Sequence, residues 1–104
     1  MKLWIDDVRP APEGYVWCNT VNEARDTILV CELYATVLES NRVELIDIDH
    51  DAGDYVSDGG DYIKLLDWLE ETGRSYPIHI HSANPVGVAN MRRIIRRNGW
   101  TEVF

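Results

Sequence analysis

The segment Leu45-Ile46-Asp47-Ile48-Asp49-His50-Asp51 leaves a chain few ways to fold around it. It reads as a short apolar strand ending in acid, histidine and acid. Alternation along a strand sets Leu45, Asp47 and Asp49 on one face and Ile46, Ile48 and His50 on the other. A carboxylate is costly to bury alone, so Asp47 and Asp49 need partners, a metal or water. Open parallel sheets bind ligands at the carboxyl ends of their strands, where Asp49, His50 and Asp51 fall. A strand running out into a polar turn has the same composition. The other strand ends decide between the two.

Strand and helix patterns alternate through the chain, with no repeat, linker or low-complexity tract. Leu3-Trp4-Ile5 is a short apolar run closed by Asp6-Asp7, and Pro10, Pro12 and Gly14 make the next segment a loop. Tyr15–Cys18 reads as a second strand. Thr20 with Glu23 three residues on has the form of a capping box. Ala24, Ile28, Cys31, Ala35 and Leu38 then recur at helical spacing, although the run Ile28–Cys31 could break that helix early. After the acidic strand comes a polar loop, Gly53 to Gly60, better read as plain loop than phosphate cradle because no Lys-Ser/Thr follows. Tyr62, Ile63, Leu65, Leu66 and Leu69 give the next helix a buried stripe, closed by Gly73. Pro77–Ser82 is a strand with His79 and His81 on one face. Asn84 and Pro85 suit the cap and first turn of a last helix, which turns Val86, Met91, Ile94 and Ile95 inward. Gly99 stops that helix, and Trp100–Phe104 is the expected fifth strand.

A chain of 104 residues supports one α/β domain, residues 1–104, with a single core. The pattern implies an open parallel sheet with right-handed crossovers. Only Val8 to Gly14 separate the first two strands, too few for a helix, so that connection is either a long loop or irregular. Cys18 and Cys31 are too few for a zinc site or disulfide framework and fit reduced core positions in a cytoplasmic protein. No apolar run reaches membrane-spanning length, and no signal-peptide core follows Met1-Lys2. The net charge of −8 argues against bulk nucleic acid or anionic membrane as a partner, while a small phosphorylated ligand stays possible through local donors or a metal.

Three strand ends converge in this fold. They bring Asp6 and Asp7, then Asp49, His50 and Asp51, then His81, Ser82 and Asn84. Four carboxylates at one edge repel unless a cation sits among them, and such oxygen-rich sets favour Mg²⁺, Mn²⁺ or Ca²⁺. Histidine beside them could instead recruit a borderline transition metal. Arg9 could neutralise the cluster or clamp a phosphate. Asp47 and His79, like Asp49 and His81, are 32 residues apart, so one register pairs both couples. That spacing predicts Asp47–His79 as a buried structural pair and Asp49–His81 as part of the reactive site.

Asp6-Asp7, Asp49 and Ser82-Ala83 resemble the motifs of a response-regulator receiver domain. In receivers the acid pair binds Mg²⁺, the third-strand acid accepts a phosphoryl group, and a lysine ends the fifth strand. Here Trp100–Phe104 carries no lysine, and the last one is Lys64. Asp6-Asp7-Val8-Arg9-Pro10, Asp49-His50-Asp51 and His79-Ile80-His81-Ser82-Ala83-Asn84-Pro85 resemble instead the cyclic-phosphate-processing receiver-like family. The resemblance implies a compact receiver-like (flavodoxin-like) fold without the first helix, in a bacterial or phage protein acting in the cytoplasm. It also implies a metal-dependent phosphoesterase acting on a cyclic phosphate, either a cyclic nucleotide or a 2′,3′-cyclic end.

The expected roles follow. Mg²⁺ or Mn²⁺ is held by Asp7 and Asp49 with help from Asp6 or Asp51. His50 or His81 serves as general acid or base. Ser82, Asn84 and the start of the last helix donate to the anion, and Arg9 adds charge in the transition state. The competing expectation is a non-catalytic receiver-like module that binds a protein or nucleotide.

Overall fold

Four short strands form one open parallel sheet in the computed structural model, which describes residues 1–104. They are β1 (Lys2–Ile5), β2 (Tyr15–Cys18), β3 (Leu45–Ile48) and β4 (Ile78–Ile80), in spatial order β2-β1-β3-β4. All pairings are parallel, β1 joining β2 through the loop of residues 6–14 with no helix between them. Three helices complete the receiver-like domain: α1 (Val21–Ala35), α2 (Ile63–Glu71) and α3 (Pro85–Asn98). The expected fifth strand is reduced to a single parallel bridge from Glu102 to Ile78, so the sheet has four strands.

The core forms where the pattern of apolar residues converges. Leu3, Ile5, Ile46, Ile48 and Ile78 from the sheet meet Ile28, Leu65, Leu66, Leu69, Met91 and Ile95 from the helices, all fully or nearly fully buried. Burial of such side chains is worth roughly 1.5–3 kcal/mol each, which is what holds so short a set of strands together. No helix is long and apolar enough to cross a membrane.

Helix ends follow local chemistry. The Thr20 hydroxyl accepts the Glu23 N–H at 2.9 Å, while the Glu23 carboxylate accepts the N–H of Asn19 rather than of Thr20. Asn84 caps α3 by accepting the Gly87 N–H at 3.0 Å, Pro85 opens the helix, and Gly99 closes it at φ 66°. Two expectations about helix faces fail. α1 ends at Ala35, where β-branched Thr36 and Val37 follow, and Leu38 turns extended and lies exposed. Val86 sits in the first turn of α3, outside the sheet's cover, and is exposed rather than buried.

Candidate metal and phosphate site

The loop after β1 folds tightly on Asp6. Its Oδ1 accepts the backbone N–H groups of Val8 and Arg9 at 2.9 and 2.8 Å, an Asx-type turn that carries the chain away from the sheet. Its Oδ2 faces His81 Nε2 at 2.8 Å. On the other side of the ring, His81 Nδ1 lies 2.6 Å from Asp47 Oδ1. His81 therefore bridges two buried carboxylates, and the Trp4 ring stacks flat on it with centroids 3.9 Å apart.

The register of β3 and β4 does pair Asp47 with His79. The hydrogen bond does not follow it. His79 Nδ1 turns to the edge of the sheet, 2.8 Å from the Val103 carbonyl oxygen in the segment that bridges to β4. His81, one step past the strand end, reaches back to Asp47 instead. The expected Asp47–His79 pair is thus replaced by Asp47–His81.

Donor atoms of Asp6, Asp49 and His81 lie within 4.8 Å of one another, a set of two carboxylates and an imidazole able to hold one cation. Asp49 also accepts its neighbour's N–H, from His50 at 2.8 Å. Asp7 stands beside this group, close enough to Asp6 and Asp49 to feel both charges. Gly53 (φ 56°) packs its backbone on Asp7, where any Cβ would overlap Asp7 Oδ2. In the sequence Gly53 reads only as loop; its left-handed φ and the close approach to Asp7 favour glycine here.

Charge and burial oppose each other in this group. Burial pushes Asp6 upward, but the N–H of Arg9, the His81 ring and the N–H of Val8 outweigh it and hold the acid below its ordinary range. Burial raises Asp7, and repulsion from Asp6 and Asp49 raises it further. For His81, burial favours the neutral ring, yet Asp47 and Asp6 outweigh burial and favour the protonated form. Arg9 extends over the site: its Nη1 donates to the His81 carbonyl oxygen at 3.0 Å and lies 3.9 Å from Asp6 Oδ2.

A second cluster lies at the start of α3. His50 Nδ1 is 2.8 Å from Asp51 Oδ1, and the Asn84 amide donates to both Asp51 oxygens at 3.3–3.4 Å. The His50 bond, more than the Asn84 bonds, keeps Asp51 below the usual carboxylate range. The His50 ring packs on Gly87, where a Cβ would overlap it. Ser82 Oγ accepts the Asn84 N–H at 3.1 Å, which leaves the serine's own proton free to donate. Asp51 is therefore engaged away from the Asp6–Asp49–His81 group.

An open parallel sheet with two acids after its first strand and a third at the end of β3 defines a receiver-like domain. The model of the family described as "Cyclic-phosphate processing Receiver domain" matches residues 1–97, and the chain belongs to that family. Comparison with curated proteins and with solved structures gives no significant match.

Proposed function

We propose that this chain is a metal-dependent phosphoesterase that opens a cyclic phosphate, on a cyclic nucleotide or a 2′,3′-cyclic end. The observation that carries the reading is the convergence of Asp6, Asp49 and His81 donor atoms within 4.8 Å, with Asp7 and Arg9 alongside. Two carboxylates and an imidazole suit Mn²⁺ well and Mg²⁺ acceptably. These three residues would hold the cation and Asp7 would assist; the cation would supply Lewis acidity at the phosphoryl oxygens.

The protein's own groups divide the remaining work. To hold the cation His81 would be neutral, keeping Nδ1–H on Asp47 and releasing Nε2 from Asp6, so it orients and holds rather than shuttles protons. His50 has Nδ1 on Asp51 and Nε2 uncommitted, which makes it the better general acid or base. Arg9 uses one nitrogen on the His81 carbonyl oxygen and keeps other N–H groups for a phosphoryl oxygen. The Ser82 hydroxyl is a further donor to the anion. Asn84 is spent on capping α3 and on Asp51, so it supports the site from behind. The ligand is a small phosphorylated molecule, and the setting is the cytoplasm of a bacterium or a phage-infected host.

One observation favours the alternative, a non-catalytic receiver-like binding module. No fully buried side-chain polar atom lacks a hydrogen-bond partner, so none of them requires a cation to be satisfied. Incubation with cyclic mononucleotides, cyclic dinucleotides and 2′,3′-cyclic ends, with Mg²⁺, Mn²⁺ or EDTA, separates the two. Metal-dependent ring opening lost in Asp49→Asn and His50→Ala supports the hydrolase. Binding without turnover in every metal supports the module.

A further inference from the structure

We propose that Trp4 is a positioning residue whose ring face holds the His81 imidazole and whose indole N–H holds the Arg9 backbone, a role that rests on the metal and phosphate function proposed above. Leu3, Ile5, Ile46, Ile48 and Ile78 alternate onto one face of the sheet, and all three helices bury their apolar residues there. Trp4, paired with Trp17 on β2 and Asp47 on β3, falls on the other face. No helix covers that side, because the connection from β1 to β2 is the loop of residues 6–14. Trp4 is half-buried there and is no part of the core. Its surroundings belong to the site instead.

Both groups that Trp4 touches lie outside regular structure and need an anchor. β4 ends at Ile80, and His81 keeps a single bond to the sheet, from its N–H to the Ile48 carbonyl oxygen at 3.0 Å. Bonds at Nδ1 and Nε2 fix the imidazole in its own plane but leave it free to rock about the line joining them. A flat ring at 3.9 Å, 2° from parallel, stops that rocking. With Nε2 given to a cation, Asp47 and Trp4 are the contacts left to aim the imidazole. Arg9 depends on the same indole. Its carbonyl oxygen accepts Trp4 Nε1–H at 2.8 Å and has no other donor. Its side chain is about half exposed and reaches the His81 carbonyl oxygen, so Trp4 holds both ends of the Arg9–His81 link. Tyr15 meets the indole edge-on, 6.0 Å between centroids, and keeps it from swinging out.

Trp4→Leu removes both holds, and Trp4→Phe keeps the stack without the N–H. Calorimetry with Mn²⁺ alone, then with inorganic phosphate in the presence of Mg²⁺, reads the two holds apart. Trp4→Leu should bind Mn²⁺ about tenfold more weakly than the parent, as loss of a contact behind a ligand does. Trp4→Phe should bind Mn²⁺ within about twofold of the parent, because a phenyl ring still stacks on the imidazole. It should bind phosphate about fivefold more weakly, for want of the bond to Arg9. In the metal-free proteins the His81 Nδ1–H should exchange with water about two- to tenfold faster in Trp4→Leu, and not in Trp4→Phe. A packing role alone would lower the melting temperature and move none of these. A parent that binds Mn²⁺ and a Trp4→Leu variant that binds it equally well would overturn the role of Trp4 and leave the site standing. A parent that takes up neither Mn²⁺ nor phosphate overturns the site, and the positioning role with it. Should Trp4→Leu not fold, Trp4→Phe decides: phosphate affinity equal to the parent's overturns the hold on Arg9.

Discussion

At the scale of single residues, the site depends on how one imidazole is held. His81 lies between Asp47 and Asp6 and under Trp4, and its side chain is nearly buried. Removing Asp47 leaves that ring with one anchor and strips a charge-assisted bond from a low-dielectric position. Asp47→Ala should therefore cost about 2–3 kcal/mol in chemical denaturation. His79 gives up only a partly exposed bond to the Val103 carbonyl oxygen, so His79→Ala should cost under about 1 kcal/mol. Equal losses in the two variants would contradict the assignment of His81 as Asp47's partner. Gly87 offers a second test. Alanine at an ordinary helix position gains about 1 kcal/mol over glycine. At Gly87 the added methyl would overlap the His50 ring and push it off Asp51. Gly87→Ala should instead lower stability by roughly 1 kcal/mol and move the His50 imidazole resonances. A stabilised Gly87→Ala with unmoved resonances would show that the ring has room.

Elements show where sequence reading succeeds and where it stops. Strand positions, the Thr20 and Asn84 caps and the shared register of β3 and β4 are local or periodic, and each is visible in the residues themselves. Which histidine bonds Asp47 is not local. It depends on the segment around Glu102 reaching β4 and presenting a carbonyl to His79, a contact between residues 24 apart. Nor can sequence tell that Gly53 and Gly87 are small because Asp7 and His50 lie against them, or that Trp4 covers His81. The α1 helix is also tied to the α2–β4 connection, where Glu32 accepts two bonds from Arg74, at 2.8 and 3.1 Å, and one from the Tyr76 hydroxyl. The Arg74 bond above all, opposed by burial and assisted by Tyr76, holds Glu32 below its ordinary value of 4.5. A carboxylate lowered in the folded state stabilises above its unfolded pKa and loses that effect as pH falls through the folded one. Glu32→Gln should thus cost about 1 kcal/mol at pH 7, a small figure because the pair is partly exposed. The gap between parent and variant should close as pH drops below 4.5, measured by urea unfolding at each pH. A gap that persists undiminished at low pH would mean the effect is packing, not charge.

For the whole molecule, the acid edge sets a conflict between stability and occupancy. The chain carries a net charge of −8, and Asp6, Asp7 and Asp49 crowd one end of the sheet. Asp7 is the member whose ionisation the fold resists, first through burial and then through Asp6 and Asp49. A carboxylate raised in the folded state destabilises when ionised, so in the metal-free protein Asp7's own penalty shrinks as pH falls through its folded pKa, opposite in sign to Asp6 and Glu32. Asp7→Asn removes that charge with little change of shape. Its melting temperature without metal should therefore lie above the parent's at pH 7. A divalent cation acts in the opposite sense on the two proteins' difference, because it binds the folded state and offsets the crowded charges. At about 100 times its dissociation constant it stabilises by roughly 2.7 kcal/mol. In a domain of this size that corresponds to a rise of roughly 10 °C or more in the parent. The rise should be much smaller in Asp7→Asn and absent in Asp49→Asn, which removes a charge from the convergent group itself. Sodium chloride at matched ionic strength is the control for screening. Thermal melts with Mn²⁺ and Mg²⁺ would count against the acid-edge reading if all three proteins rise together, or if Asp7→Asn melts below the parent without metal.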